Sequence, residues 1–168
     1  MHVSRENVIV RLQGGLGNQL FQYATGKSLS LRLGVQLILD LNWYTDNSNF
    51  KFILDRFQIY DSSWAPSKKI PRRIRNILYK LSERISTIGL TLPVLKDIDF
   101  EFNHELLTIH RPVLLDGYWQ NESYFIEYRE QLLQLFEIKG EIDKCNNQLL
   151  NKIKNSNSIC IHIRRGDY

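Results

Sequence analysis

The glycine-rich turn Gln13-Gly14-Gly15-Leu16-Gly17 restricts the fold more than any other feature of this sequence. The β-branched run before it, residues 7–12, is typical of a strand, and the apolar residues of 20–33 recur at helical spacing. Gly34 is placed to end that helix in a left-handed conformation, and residues 35–41 form a second apolar run. A strand, a glycine turn, a helix and a strand in this order predict a parallel βαβ unit and hence an α/β fold.

The rest of the chain continues this alternation of strands and helices. Residues 113–116 predict a strand, and Asn121 is placed to cap a helix that ends near Phe136. A further helix is expected over residues 141–153, and residues 158–163 predict a last strand. This alternation is typical of an α/β chain.

The composition agrees with a folded domain. Apolar residues make up 43% and charged residues 24% of the 168 residues, which excludes a disordered or fibrous chain. Two cysteines, Cys145 and Cys160, are too few for a disulfide framework or a four-cysteine zinc site, and the apolar run around Cys160 predicts a buried free thiol. Because the first residues lack a basic-then-apolar leader pattern and no window holds about 18 consecutive apolar residues, we expect a cytoplasmic protein.

Between a strand and a helix, the glycine turn is placed to bind a phosphate or a sugar hydroxyl through backbone N–H groups. It lacks the third glycine of the dinucleotide-binding fingerprint, because that position is Leu20. Asp40, at the end of the second predicted strand, could bind a ribose, which keeps a nicotinamide-dependent oxidoreductase as an alternative. A tight turn without a ligand is the other interpretation. Residues 25–28 (TGKS) resemble the end of a P-loop but lie inside the helical pattern, where they cannot enclose a phosphate.

A dense group of polar side chains lies at residues 162–167 (HIRRGD). The preceding predicted strand would bring Arg164 and Arg165 to its carboxyl end, which is the usual ligand edge of an open α/β sheet. The planar fork of an arginine can bind a diphosphate at two points, and Asp167 can orient a guanidinium or accept a proton. A solvated charged turn is the alternative. His162 and Asp167 by themselves cannot form a metal site.

Residues 67–88 combine basic and apolar side chains at helical spacing and predict an amphipathic helix after Pro71. Such helices bind anionic membrane surfaces, although a core-packed surface helix with solvated lysines fits the same pattern. The net charge of +4 favours an acidic partner without distinguishing nucleic acid, phosphosugar and anionic lipid. A non-catalytic phosphosugar- or anionic-lipid-binding α/β module is therefore a second function hypothesis.

Three segments together resemble the bacterial α-1,2-fucosyltransferases of glycosyltransferase family 11, in order and in spacing. They are residues 14–24 (GGLGNQLFQYA), 117–125 (GYWQNESYF) and 161–168 (IHIRRGDY). The resemblance implies inverting transfer of L-fucose from GDP-fucose to the 2-hydroxyl of a galactoside, without a metal or another cofactor. It also implies a two-Rossmann, GT-B-like architecture. Residues 1–155 would be its N-terminal, acceptor-side α/β domain, and residues 156–168 would begin the GDP-sugar-binding domain with its first strand.

The resemblance also suggests partners and a location. The expected partners are GDP-fucose and a galactose-containing glycan, including a lipid-linked glycan of O-antigen or lipopolysaccharide biosynthesis, and no nucleic acid. Residues 67–88 would add a peripheral contact to the inner face of the cytoplasmic membrane. Because family members continue well beyond the arginine motif, we expect an incomplete fragment that is inactive alone and whose last residues lack covering partners.

By the same resemblance, the catalytic candidates are Arg164, Arg165 and Asp167. The donor-binding candidates are His162, Arg164, Arg165, Gly15, Gly17, Asn18 and Gln19, and no metal ligand is expected. Fixed arginines suit a reaction in which a leaving diphosphate gains negative charge, and inversion also needs a general base. Because two adjacent arginines favour an ionised carboxylate and weaken it as a base, Asp167 is expected to orient a guanidinium, and the base stays unassigned.

Overall fold

The computed structural model describes residues 7–46, 49–64, 93–97, 101–161 and 163. The chain divides into two compact units, Met1–Ile138 and Lys139–Tyr168. None of the described helices is long and apolar enough to cross a membrane.

The first unit contains five strands and four helices within its described residues. In chain order they are β1 (Val8–Arg11), α1 (Leu16–Leu33), β2 (Leu37–Asp40), α2 (Asn42–Asp46), β3 (Ser62–Trp64), β4 (Val94–Lys96), α3 (Glu105–Thr108), β5 (Leu114–Asp116) and α4 (Arg129–Leu135). Single 3₁₀ turns are formed by Leu54–Arg56, Glu122–Tyr124 and Ile126–Tyr128.

The five strands form one sheet in the order β3-β2-β1-β5-β4, and the pairings between these strands are all parallel. In register, Val10 of β1 lies opposite Leu39 of β2 and Leu115 of β5. The residues of β2, and all of β1 except its last residue, Arg11, are buried, as expected for central strands of a parallel sheet covered on both faces. The predicted α/β fold with a parallel βαβ unit is confirmed.

Helix α1 packs closely against the two central strands at Gly26. A Cβ atom at this position would lie 3.0 Å from side-chain atoms of both Val10 and Leu37. Because Gly26 lies in the middle of a buried helix, residues 25–28 cannot act as a P-loop, as the helical pattern predicts. The helix ends at Gly34, whose φ of 67° is the left-handed conformation predicted for it.

For the segment after β5, the structure confirms the predicted cap but not the predicted helix. Asn121 accepts a hydrogen bond from the Ser123 backbone N–H at 2.9 Å, so it is a cap as predicted. The predicted continuous helix over 121–136 is wrong, because Phe125 leaves the helical region at φ −141° and ψ 8°. Its ring instead packs on Phe21, with ring centroids 5.9 Å apart. Two 3₁₀ turns therefore precede α4.

The second unit contains α5 (Lys144–Lys154). Its N-cap is Asp143, which accepts a hydrogen bond from the Asn146 backbone N–H at 3.0 Å; this bond lowers the pKa of the Asp143 carboxyl below its ordinary value. The strand predicted over 158–163 is absent from the described residues 158–161 and 163. The buried thiol predicted for Cys160 is also wrong, because without a strand to bury it the residue is exposed. Ile159, Ile161 and Ile163 are likewise exposed.

Candidate functional site

The candidate site lies at the carboxyl edge of the sheet, beside the end of β1. Strand β1 pairs with β2 on one side and with β5 on the other, so the chain segments that follow β1 and β5 emerge next to each other. In open parallel sheets, ligands bind in the crevice outside the carboxyl ends of strands at such a change in strand order. The two segments at this edge are residues 13–18 and 117–121. They overlap residues 14–24 and 117–125, two of the three motifs that carry the family resemblance.

A buried glutamine on α1 ties these two segments together. The Gln22 side chain accepts a hydrogen bond from the Gln13 backbone N–H at 2.9 Å and donates one to the Gly117 carbonyl at 3.1 Å. Gln22 is fully buried. The amide oxygen and the amide nitrogen of Gln22 thus both hold the glycine turn against the segment that follows β5.

A second buried glutamine, Gln19, holds the other side of the glycine turn. Its Nε2 donates to the carbonyls of Gly14 and Lys51 at 3.1 and 2.8 Å, and its Oε1 accepts from the Ile53 backbone N–H at 3.0 Å. Tyr44 adds a hydroxyl that donates to the Gly14 carbonyl at 3.2 Å. Burial raises the pKa of Tyr44, so this hydroxyl keeps its proton and remains a donor at neutral pH. The loop is therefore fixed before any ligand binds.

The exposed ends of the two segments also meet. Gln120 Nε2 donates to Asn18 Oδ1 at 2.8 Å. Helix α1 begins at Leu16 and its N-cap is Gly15, which makes no side-chain cap bond, so Asn18 does not cap this helix. Asn18 lies instead in the first turn of the helix, where its side chain faces the segment after β5.

A charged cluster lies directly below this edge. Arg11, the last residue of β1, donates to Asp40 Oδ2 at 3.2 Å and to Asp116 Oδ2 at 3.0 Å, at the ends of the two neighbouring strands. The Asp40 side chain is only 4% exposed, and its Oδ1 accepts from the Asn42 backbone N–H at 2.9 Å. Both carboxylate oxygens of Asp40 are engaged within the protein, so it presents no free carboxylate to a ribose. The oxidoreductase alternative loses its key residue.

The turn after β5 contains the one non-glycine residue with positive φ among the described residues, Trp119, at φ 55°. A bulky residue in this region is strained by about 1–3 kcal/mol and persists only where its surroundings hold it. Asp97 supplies that restraint, because its Oδ2 accepts from the Tyr118 and Trp119 backbone N–H groups at 3.1 and 2.7 Å. Trp119 is fully buried, and its Nε1 has no hydrogen-bond partner within the described structure.

Two further tyrosines, Tyr23 and Tyr124, are buried in this unit. The Tyr23 hydroxyl donates to Asp61 Oδ2 at 2.5 Å. Burial raises the pKa of Tyr23, and this hydrogen bond and the negative charge of Asp61 raise it further. Lys27 pairs with the other oxygen of Asp61 at 2.7 Å. Burial also raises the pKa of Tyr124, whose hydroxyl accepts from the Asn103 backbone N–H at 2.6 Å. These tyrosines are protonated at neutral pH and act as structural hydrogen-bonding groups.

The structure brings together part of the predicted site. Gly15 and Asn18 are half-buried and Gly17 is exposed at the carboxyl edge, whereas Gln19 is fully buried with its amide engaged within the protein. Donor contacts by these residues stay predictions. His162, Arg164, Arg165 and Asp167 lie outside the described residues, as does the basic segment 67–88. In the described ranges, no three His, Cys, Asp or Glu residues are grouped so that they could share a metal ion.

Four residues that organise this edge were missed from the sequence: Gln22, Asp97, Trp119 and Gln120. Gln22 had a local signal, because it lies on the buried face of the helix one turn after Gln19 and directly beyond the glycine turn. Trp119 and Gln120 lie in the segment 117–125 that carries the family resemblance, but their roles and that of Asp97 depend on the pairing of β4 with β5 and of β5 with β1.

Comparison with known proteins agrees with this architecture. The family model described as glycosyl transferase family 11 matches residues 7–168. The chain belongs to glycosyl transferase family 11. It is similar to an alpha-1,2-colitosyltransferase of Escherichia coli, at 34% identity over 165 residues, covering 96% of this chain and 55% of that protein.

A second relative is the O-antigen biosynthesis glycosyltransferase WbnK of Escherichia coli. It is 32% identical over 176 residues, which cover 94% of this chain and 58% of WbnK. The chain therefore spans somewhat more than half the length of these two curated relatives. No solved structure matches the chain significantly.

Proposed function

We propose that this chain provides the acceptor-side part of an inverting glycosyltransferase that moves L-fucose from GDP-fucose to the 2-hydroxyl of a galactoside. The observation that supports this most directly is the meeting of two family-like segments, residues 14–24 and 117–125, at one ligand edge of a parallel sheet. Residues from distant parts of the chain are fixed there by buried hydrogen bonds, as a preorganised binding site requires. A GT-B-like arrangement of two Rossmann domains is part of the proposal.

The chemistry that we propose centres on residues 162–167. Breaking the bond between the sugar and the diphosphate places negative charge on the leaving group, and Arg164 and Arg165 would stabilise that charge as it develops. His162 would shape the same turn, and Asp167 would orient a guanidinium. Two guanidinium groups would supply the charge that a metal ion otherwise provides, and we propose a metal-independent reaction. The general base is not assigned to a residue.

The identity of the transferred sugar is the first question for experiment. Colitose is the alternative to fucose as the transferred sugar, because a relative that is 34% identical to this chain is named an alpha-1,2-colitosyltransferase. Colitose is fucose without the 3-hydroxyl group, and both would be transferred in the same linkage. A site that forms a hydrogen bond to the 3-hydroxyl would distinguish them strongly, whereas an apolar site would distinguish them weakly.

The proposed acceptor is a galactose-containing glycan of a bacterial surface polysaccharide. The second relative, named for O-antigen biosynthesis, supports this class of acceptor. Such acceptors are built on lipid carriers, so we also propose that residues 67–88 contact an anionic membrane surface. Replacing Arg72, Arg73 and Arg75 by glutamine should release the protein from anionic vesicles at low salt, since each cationic residue near such a surface contributes about 1 kcal/mol. Equal binding of both proteins would contradict this contact.

A chimera tests the proposed transfer. The part of the alpha-1,2-colitosyltransferase that aligns with this chain is replaced by residues 7–168, and the product is assayed with GDP-fucose and GDP-colitose. The acceptors are methyl β-galactoside and its 2-deoxy analogue, which lacks the proposed nucleophile. We expect transfer to the galactoside only, with the anomeric configuration of the donor inverted in the product. The 168-residue chain by itself is expected to give no transfer.

The chimera has an internal control for the active-site assignment. An Arg164→Ala variant should fold as the parent chimera does and lose most of its transfer rate. Transfer to the 2-deoxy acceptor, or retention of configuration, would refute the proposed reaction. A folded chimera that transfers neither sugar, next to an active parent enzyme, would refute the assignment of this chain to α-1,2 transfer.

A further inference from the structure

The side-chain amides of Asn18 and Gln120 form an exposed pair at the carboxyl edge. Their one described hydrogen bond joins Gln120 Nε2 to Asn18 Oδ1 at 2.8 Å, across 102 residues of chain. This bond uses the oxygen of one amide and the nitrogen of the other. It leaves the Asn18 Nδ2 group, which lies beside the Gly14 backbone, as a donor and the Gln120 Oε1 atom as an acceptor.

The pair is held rigidly on the Asn18 side. Asn18 lies in the first turn of α1, and the turn that precedes it is fixed by Gln19, whose amide bonds Gly14, Lys51 and Ile53. Gln19 is fully buried, and its hydrogen bond to the Gly14 carbonyl is shielded from water.

The Gln120 side is held by Asp97. Its Oδ2 accepts from two consecutive backbone N–H groups, those of Tyr118 and Trp119, and its own N–H donates to the Asp116 carbonyl at 3.2 Å. The backbone also approaches closely, because a Cβ atom on Gly117 would overlap Asp97. Trp119 is thereby kept at φ 55°, and this unusual conformation sets the direction in which Gln120 leaves the turn.

We propose that Asn18 and Gln120 together bind two neighbouring hydroxyl groups of the acceptor pyranose, and that Asp97 is the positioning residue for Gln120. A donor on Asn18 and an acceptor on Gln120, on two amides joined by a hydrogen bond, match a vicinal diol, in which each hydroxyl both donates and accepts. Fixed geometry also reduces the entropy that binding would otherwise cost. This inference rests on the proposed function, because it takes the acceptor to be a galactoside.

The test uses the 168-residue chain and methyl β-galactoside, followed by NMR of the side-chain amide groups. We expect the amide signals of Asn18 and Gln120 to shift during the titration. Gln120→Ala should weaken galactoside binding by about fivefold to tenfold, the ratio expected on loss of one neutral hydrogen bond. Gln134→Ala, which truncates an exposed glutamine of α4, is the matched control and should bind as the wild type does.

Asp97 is tested by rescue with a conservative variant. Asp97→Ala should weaken binding as much as Gln120→Ala and move the Gln120 amide signal toward that of a free side chain. Asp97→Asn retains an oxygen acceptor for the two N–H groups and should bind within about twofold of the wild type. Should Asp97→Ala fail to fold, Asp97→Asn and the exposed Gln120→Ala decide the proposal.

The outcomes distinguish this inference from the proposed function. Wild-type affinity in Gln120→Ala, or a wild-type chain that shows no galactoside response at the two amides, would overturn the amide pair. Galactoside binding at the pair, together with a chimera that transfers no sugar, would keep the pair and refute the transfer. Transfer by the chimera that is unchanged by Gln120→Ala would keep the proposed transfer and refute the amide pair.

Discussion

Gln22 joins the two segments of the candidate site, and its replacement by methionine measures how strongly they are joined. Methionine has a similar length and no hydrogen-bonding amide, so the substitution leaves little cavity. It removes the acceptor of the Gln13 N–H and the donor to the Gly117 carbonyl. Each backbone group left without a partner in a buried site costs about 1–3 kcal/mol, and the more apolar side chain returns about 1 kcal/mol. For the two groups together we therefore expect the free energy of unfolding to fall by about 1–5 kcal/mol.

Urea unfolding followed by far-UV circular dichroism measures this loss, and a thermal scan should show a Tm lower by roughly 2–20 °C. Gln134→Met is the matched control, because this glutamine is exposed on α4 and its substitution should change stability by less than about 0.5 kcal/mol. Hydrogen exchange should also accelerate at the Gln13 amide. A Gln22→Met variant as stable as Gln134→Met would refute the conclusion that this amide holds the two segments together.

Three further predictions follow from the same structure and from the proposed chemistry. The pKa of Tyr23 is raised in the folded state, so the proton that the unfolded chain releases near pH 10 is retained on folding. This stabilisation of the folded state is complete below pH 10 and is lost as the pH rises above it, by about 1.4 kcal/mol per pH unit. Tyr23→Phe should therefore reduce the fall in the free energy of unfolding between pH 10 and 12. Parallel curves of stability against pH for the wild type and the variant would contradict the assignment. Gly26→Val should destabilise the fold by about 1–3 kcal/mol in urea unfolding, while Gly17→Val, on the same helix but in open space, should cost much less. In the active chimera, Arg164→Ala or Arg165→Ala should lower turnover by about 10²- to 10³-fold and lysine should restore little of it, whereas wild-type rates in both alanine variants would refute the donor role.

Local sequence pattern was sufficient to predict the centre of the fold. The β-branched run of β1, the glycine turn, the helical spacing of α1 and the apolar run of β2 were all confirmed within a few residues. Gly34 and Asn121 were also identified correctly as caps. Each of these features depends on interactions within a few residues of the chain, which the sequence displays directly.

Edge strands and the strand over 158–163 were predicted poorly for a physical reason. β3 and β4 are three residues long and have no apolar alternation, so only their pairing with β2 and β5 makes them strands. Residues 158–163 have a strong apolar alternation, yet the described residues of this run form no strand and their isoleucines are exposed. A parallel strand is stabilised by neighbours, and sequence pattern alone does not supply them.

The sequence by itself determined the α/β class, the glycine turn and the family to which the chain is similar. Only the tertiary structure decided how the candidate site is assembled. The order β3-β2-β1-β5-β4 brings the segment after β5 beside the glycine turn, and this allows Gln22 to bond Gly117 and Gln120 to bond Asn18. The left-handed conformation of Trp119 likewise depends on Asp97, 22 residues earlier in the chain. Such contacts form only when non-adjacent strands pair, because the hydrogen bonds that fix them are made between segments whose distance in sequence gives no local signal.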